Sequence, residues 1–186
     1  NEPILDNRNS QMVSFVDFAP TVLAAANLKP DYTMEGISFY KNNQRDYIFA
    51  GTDRFDELKT QTRCIRNKKY KLILNLDTNF CSGGTIKYRN QMATMKLLNN
   101  LKDENELNTY FKKWFDSSKE LYELYNLELD CFETKNLVHD TLYDSVLFTL
   151  KKALHKWIES SDYGFVDEQY MVSNMLNPDL NQPELN

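Results

Sequence analysis

The sequence predicts an α+β fold: a small antiparallel sheet of about four strands packed by a long C-terminal amphipathic helix. Three stretches carry this. Thr62–Arg66 and Tyr70–Leu76 flank the polar turn Asn67-Lys68-Lys69 and read as a β-hairpin, with Tyr70, Leu72, Leu74 and Leu76 alternating against Lys71, Ile73 and Asn75. Glu120–Leu127 is a strand by composition. Leu142–Glu159 places Tyr143, Val146, Leu147, Leu150, Leu154, Trp157 and Ile158 on one helical stripe.

The remaining elements follow in order. Ser14-Phe-Val-Asp17 has the form of a capping box, and Pro20 suits a first turn, so a short helix is expected from Val16 to Ala26, closed by Asn27. That helix calls for a large apolar partner. Arg45–Gly51 reads as a strand and Thr52–Glu57 as a charged loop. Asn90–Leu101 and Glu104–Phe115 carry apolar residues three and four apart and read as two short helices. In the final helix Lys151, Lys152 and Lys156 are expected to face away from the stripe and to suit the negative end of the helix dipole. Asn174–Asn186 reads as an irregular tail.

Composition narrows the function classes. With 186 residues, 41% of them hydrophobic and 13% aromatic, the chain has material for one real core. A net charge of -5 with both signs dispersed argues against a nucleic-acid surface. No stretch approaches a membrane span. The chain opens on Asn1 in polar sequence, as if cut from something longer, so targeting information is expected to lie elsewhere. Cys64, Cys81 and Cys131 are too far apart for a zinc motif; one disulfide with a free thiol, or three free thiols, are both open.

Candidate chemistry is sparse. Asp53-Arg54-Phe55-Asp56-Glu57 is the densest cluster of potential site residues: Arg54 offers a forked donor for a sulfate, phosphate or carboxylate, and Asp53, Asp56 or Glu57 can accept from sugar hydroxyls. The bland reading is a solvated loop. Ser82-Gly83-Gly84-Thr85 is either an anion cradle or a plain turn, and turn is favoured because the Lys of a phosphate-binding loop is missing. His139 and His155 have no catalytic partner at useful spacing and read as structural or exposed. From residues alone no complete catalytic machine is visible.

Four stretches in order resemble the C-terminal region of the sulfatase family. Val13-Ser-Phe-Val-Asp-Phe-Ala-Pro-Thr-Val-Leu23 is similar to its V-S-x-x-D-x-x-P-T-x-L helix, and Gly36-Ile-Ser-Phe39 to the G-x-S-(L/F) that follows. Arg63–Ile73 resembles its R-x-(I/V)-R-x-x-x-Y-K-(L/Y)-I hairpin, and Leu124–Leu137 its L-Y-D-L-x-x-D-P-x-E-x-x-N-L turn. Thr52–Glu57 resembles the R-D-R-M-D-E loop of sulfatases similar to heparan N-sulfatase, although Gly51-Thr52 stand where that subgroup has charged residues. Asn126 replaces the usual Asp and Cys131 the usual Pro, so a looser turn is expected there.

The resemblance implies the C-terminal part of an alkaline-phosphatase-like sulfatase: 1–40 the last helix and linker of the catalytic domain, 41–170 the C-terminal subdomain, 171–186 a tail. It implies hydrolysis of sulfate esters or sulfamates of a carbohydrate by the whole protein, which would be periplasmic, secreted or lysosomal. The upstream catalytic domain would be this chain's partner. The formylglycine motif (C/S)-x-P-x-R is absent here, so formylglycine and calcium are expected upstream, with no metal or catalytic nucleophile in this chain. Arg54, Asp53, Asp56 and Glu57 would be its substrate-binding residues. Two other classes stay open: a phosphoryl-transfer relative of the alkaline-phosphatase superfamily, and a non-catalytic interaction domain.

Overall fold

A computed structural model describes residues 11–40, 45–56, 58–79, 81–116 and 118–161. Its elements are a 3-10 turn Phe15–Asp17 running into α1 (Phe18–Ala25), then β1 (Ile48–Phe55), β2 (Leu58–Arg66) and β3 (Tyr70–Asn75). They continue with α2 (Ala93–Asp103), α3 (Thr109–Phe115), β4 (Tyr122–Asn126) and α4 (Asp144–Ser161). The strands form one sheet in the order β1-β2-β3-β4. The four-stranded α+β architecture read from the sequence is therefore the one observed. The tail expected at 174–186 lies outside the described residues.

Two compact units are distinguished: one drawn from Asn1–Ala50, Arg63–Leu74 and Tyr122–Leu154, the other from Gly51–Thr62, Asn75–Leu121 and His155–Asn186.

In the first unit β3 and β4 pair antiparallel, with Tyr70 opposite Asn126, Leu72 opposite Leu124 and Leu74 opposite Tyr122. These six share one face of the pleat, and α4 covers it. Tyr143 meets Tyr70 edge-on at 6.1 Å, and Lys151 Nζ sits 3.9 Å over the Tyr122 ring. Leu72, Leu124, Leu150 and Leu154 are fully buried. Burying each such side chain is worth roughly 1.5–3 kcal/mol. Lys151 thus leans on the sheet instead of facing away. The helix also runs on to Ser161, so none of its lysines lies in its last turn and the dipole argument for them fails. The hairpin turn closes as expected: Asn67 Oδ1 accepts from the N–H groups of Lys69 (2.9 Å) and Tyr70 (2.6 Å).

The expected looser turn after β4 is not seen. Asn126 is buried, and its Oδ1 accepts from Glu128 N at 3.1 Å and Leu129 N at 3.3 Å, the acceptor role an Asp would fill. Asp130 N donates to the Asn126 carbonyl at 2.8 Å, which closes the turn without a proline at 131.

The first unit also holds α1. Asp17 is buried and accepts from Ser14 N (2.8 Å), Ile37 N (2.7 Å) and Arg45 Nε (2.7 Å). A second Arg45 nitrogen reaches the other carboxylate oxygen, completing a two-pronged pair. Gly36 lets the chain pass close by: a Cβ there would lie 1.8 Å from the Val16 carbonyl oxygen. The far side of α1 is open, with Phe15 89%, Val22 65% and Phe18 51% exposed.

In the second unit Met95, Leu98 and Leu107 form a buried cluster against which Leu101, Phe111, Trp114 and Phe115 pack. Met92, expected on that stripe, precedes the helix and is exposed. Past the end of α2, Asn105 takes a left-handed φ of 59° that lets Glu106 N reach the Leu101 carbonyl at 2.8 Å. The Asn108 side chain then caps α3, accepting from Phe111 N at 2.9 Å. This cap makes the second helix start five residues later than the apolar spacing suggests. Leu76, expected on the sheet's apolar face, is 44% exposed because β3 stops at Asn75, which is buried with its amide donating to the Glu120 carbonyl at 2.8 Å.

Candidate functional site

The predicted charged loop is mostly strand. β1 continues through Thr52, Asp53 and Arg54 to Phe55, and β2 begins at Leu58. Asp56 adopts a left-handed φ of 49°, which a short turn requires and Asp tolerates. Glu57 lies outside the described residues.

Extending the strand redistributes the candidate residues. Successive side chains on a strand point to opposite faces, so Asp53 and Arg54, both half-buried, are displayed on opposite sides of β1. Arg54 Nη1 donates to the Asp56 carbonyl at 3.4 Å, and Thr52 Oγ1 donates to the Arg54 carbonyl at 3.0 Å. These bonds tie Arg54 to the turn, in which Asp56 is exposed. The structure joins Arg54 to the Asp56 backbone, and the pleat sets Asp53 on the other face of the strand. One residue the sequence reading passed over is Phe55, 54% exposed on the face of Asp53 at the hairpin tip.

The glycine turn is not an anion cradle. Gly83 N donates to the Trp114 carbonyl at 2.9 Å and Gly84 N to the Cys81 carbonyl at 3.0 Å, so both amides are committed. His139 and His155 are both exposed. All three cysteines are free thiols. Burial pushes the Cys64 thiol up to about 11, with Lys71 opposing and Glu133 adding to the shift. Among the described residues no group of three or more His, Cys, Asp or Glu is placed to hold a metal ion, and no helix is long and apolar enough to cross a membrane.

The residues most strongly organised by the structure are ones the sequence reading did not select. Arg45 appeared only as the start of a strand, yet it forms the two-pronged pair with Asp17. Arg63, first residue of the hairpin motif, is 3% exposed in the middle of β2. Asp17 and Arg63 do stand in the stretches that carry the family resemblance; nothing in spacing or composition points to Arg45.

Comparison with known proteins completes the site. No protein-family profile matches the chain. A curated relative, an ulvan-active sulfatase of Formosa agariphila, is 36% identical over 182 residues, which is 96% of this chain and 30% of the relative. The chain thus spans under a third of that relative's length. Among solved structures, a 2-O GAG sulfatase aligns with 77% of this chain and 24% of its own at 18% identity and a TM-score of 0.49. A second, solved with its substrate D-glucosamine-2-N,6-O-disulfate, aligns with 77% of this chain and 23% of its own at 16% identity and a TM-score of 0.48. The sequence likeness that runs through nearly all of its residues supports a sulfatase family assignment for this chain.

Proposed function

We propose that the complete protein is a carbohydrate sulfatase that hydrolyses sulfate esters, or sulfamates, of a polysaccharide, and that this chain is its C-terminal part, closing one side of the substrate cleft. The observation that carries the proposal is the 36% identity to an ulvan-active sulfatase across 96% of the chain. Ulvan is accordingly the first substrate to try. The open apolar face of α1 supports the division of labour, because a cluster as exposed as Phe15, Phe18 and Val22 calls for cover. The upstream catalytic domain, of alkaline-phosphatase-like fold, is the surface proposed to provide it, with residues 1–40 belonging to that domain and 41–170 to the C-terminal subdomain. A polymeric substrate is met outside the cytoplasm, so the protein is placed in the periplasm, among secreted proteins or in a lysosome.

Formylglycine, held beside calcium, supplies the nucleophile in such an enzyme. The described residues of this chain do not fit either group, since no acidic cluster is present to hold the metal and the formylglycine motif is missing. Both are assigned by this proposal to the upstream part. The work left to this chain is recognition. Arg54, tied to the turn by its bond to the Asp56 carbonyl, is the proposed partner of an anionic group of the sugar. Asp56, and Glu57 beside it in sequence, accept from hydroxyls. Asp53, on the other face of β1, contacts the sugar only if the substrate wraps the strand edge.

The test is sulfate release, measured by ion chromatography, from ulvan by the complete protein. Inorganic sulfate without phosphate release from an aryl phosphate supports the proposal. Phosphate release in its place would move the protein to the phosphoryl-transfer branch, and neither product would leave an interaction domain.

A further inference from the structure

The chain as a whole is acidic, with a net charge of -5, yet one groove of its second unit is basic. Between the end of α2 and α3 lies an open cavity of about 400 Å³, lined by Lys102, Asn105, Thr109, Lys112, Lys113 and Phe115. That volume lies within the range of small-ligand sites. Thr109, Lys112 and Lys113 share a face of α3, being three and four residues apart. Lys102 comes from the last turn of α2. All three lysines are exposed, and among the described residues none of them stands in an ion pair. Of the acids nearby, Asp116 lines the groove, while Asp103, Glu104 and Glu106 of the connecting turn do not. Placement at helix C-termini favours each lysine singly. It does not require them to converge on one cavity.

The wall of the groove is pre-set. Lys102 Nζ lies 5.0 Å from the centre of the Phe115 ring. Phe115 is held by Trp114, edge-on at 5.0 Å, and by Gly83, where a Cβ would come within 2.4 Å of its ring. Its carbonyl accepts from Cys81 Sγ at 3.1 Å. The turn through Asn105 and the Asn108 cap fix the spacing of the two helices. An apolar ring edge, a hydroxyl, an amide and three ammonium groups on a braced frame match a sugar bearing several sulfate groups.

We infer that the groove between α2 and α3 binds a sulfated stretch of polysaccharide through Lys102, Lys112 and Lys113, an inference that rests on the polysaccharide substrate proposed above. The ammonium groups take the sulfates as point charges, and Phe115 takes the apolar edge of a sugar ring. Binding of this kind weakens as salt rises.

The test is affinity gel electrophoresis of the full-length protein in gels containing ulvan, chemically desulfated ulvan, or single-stranded DNA. Retardation by ulvan, abolished by desulfation, is expected. Replacing Lys102, Lys112 and Lys113 together by Gln is expected to weaken it roughly tenfold, the combined worth of three exposed charge contacts. Replacing the same three by Arg is expected to keep it. A control triple at the exposed Lys29, Lys68 and Lys96, also changed to Gln, is expected to leave it within about twofold. Equal loss in the control triple, equal retardation by DNA, or no loss in the groove triple overturns the inference. Sulfate release is scored separately: an active enzyme whose groove triple still binds ulvan sinks the groove alone, while a protein retarded by ulvan that releases no sulfate sinks only the proposed reaction.

Discussion

Arg45 Nε donates to Asp17 Oδ2 at 2.7 Å, across 28 positions of sequence, and both carboxylate oxygens are engaged in a pair whose side chains are 13% and 2% exposed. Burial on its own would raise the Asp17 carboxyl, but the bonds from Arg45, Ser14 N and Ile37 N outweigh it and hold the group below the ordinary carboxylate value. Removing one partner leaves the other charge buried, so Asp17→Ala is expected to destabilise the protein by about 3–5 kcal/mol, read as a shift in urea midpoint. A change under about 1 kcal/mol would show that the pair contributes little.

The sign of the pH dependence follows from the same group. Its folded pKa is depressed, so its contribution to stability is fully present above the unfolded carboxylate pKa and is lost as pH falls through the folded value. Urea titrations from neutral pH down through the acid range should show wild type losing stability that Asp17→Asn has already lost. Parallel curves for the two proteins would contradict this.

Gly36→Ala tests the close approach to α1. A Cβ lying 1.8 Å from the Val16 carbonyl oxygen meets backbone, which cannot rotate away. A cost of at least about 2 kcal/mol in unfolding free energy is expected. Little or no change would mean that the Gly36 segment and the helix entry shift apart freely.

The cysteines differ in reactivity. With its pKa pushed up to about 11 by burial, Cys64 is only ~0.1% thiolate at pH 8, while Cys131 is exposed. Brief iodoacetamide treatment followed by peptide mass mapping should find Cys131 alkylated well before Cys64, with Cys64 reacting readily once the protein is unfolded in urea. Equal rates in the folded protein would contradict the burial of Cys64.

Much of the fold is legible because it rests on local periodicity. The hairpin 62–76 shows the two-residue alternation of a sheet covered on one side, and α4 shows the stripe of a helix that covers it. Both readings hold because burial, not propensity, wrote the pattern. The boundaries are less legible. Leu76 continues the alternation in sequence, but β3 stops at Asn75 once that amide finds the Glu120 carbonyl. Thr52–Phe55 looks like a loop because its residues are polar. It is strand because its backbone has a neighbour in β2, and pairing overrides composition. The site suffered most from this. Four charged residues within five positions look like one cluster, and the pleat of β1 sends Asp53 and Arg54 to opposite faces. The Asp17–Arg45 pair was illegible for a different reason: no periodic signal joins residues so far apart.

The central claim is that the family's chemistry belongs to the complete protein and that this chain serves it at Arg54. The most direct measurement is steady-state sulfate release from ulvan by the complete protein and by its Arg54→Ala variant, with unfolding midpoints recorded for both. The expected result is release by the wild type, a kcat/KM for the variant lower by about tenfold or more, and matching midpoints. Release by both at equal kcat/KM would contradict the role of Arg54, and no release by the wild type from ulvan or any other sulfated polysaccharide would contradict the claim itself.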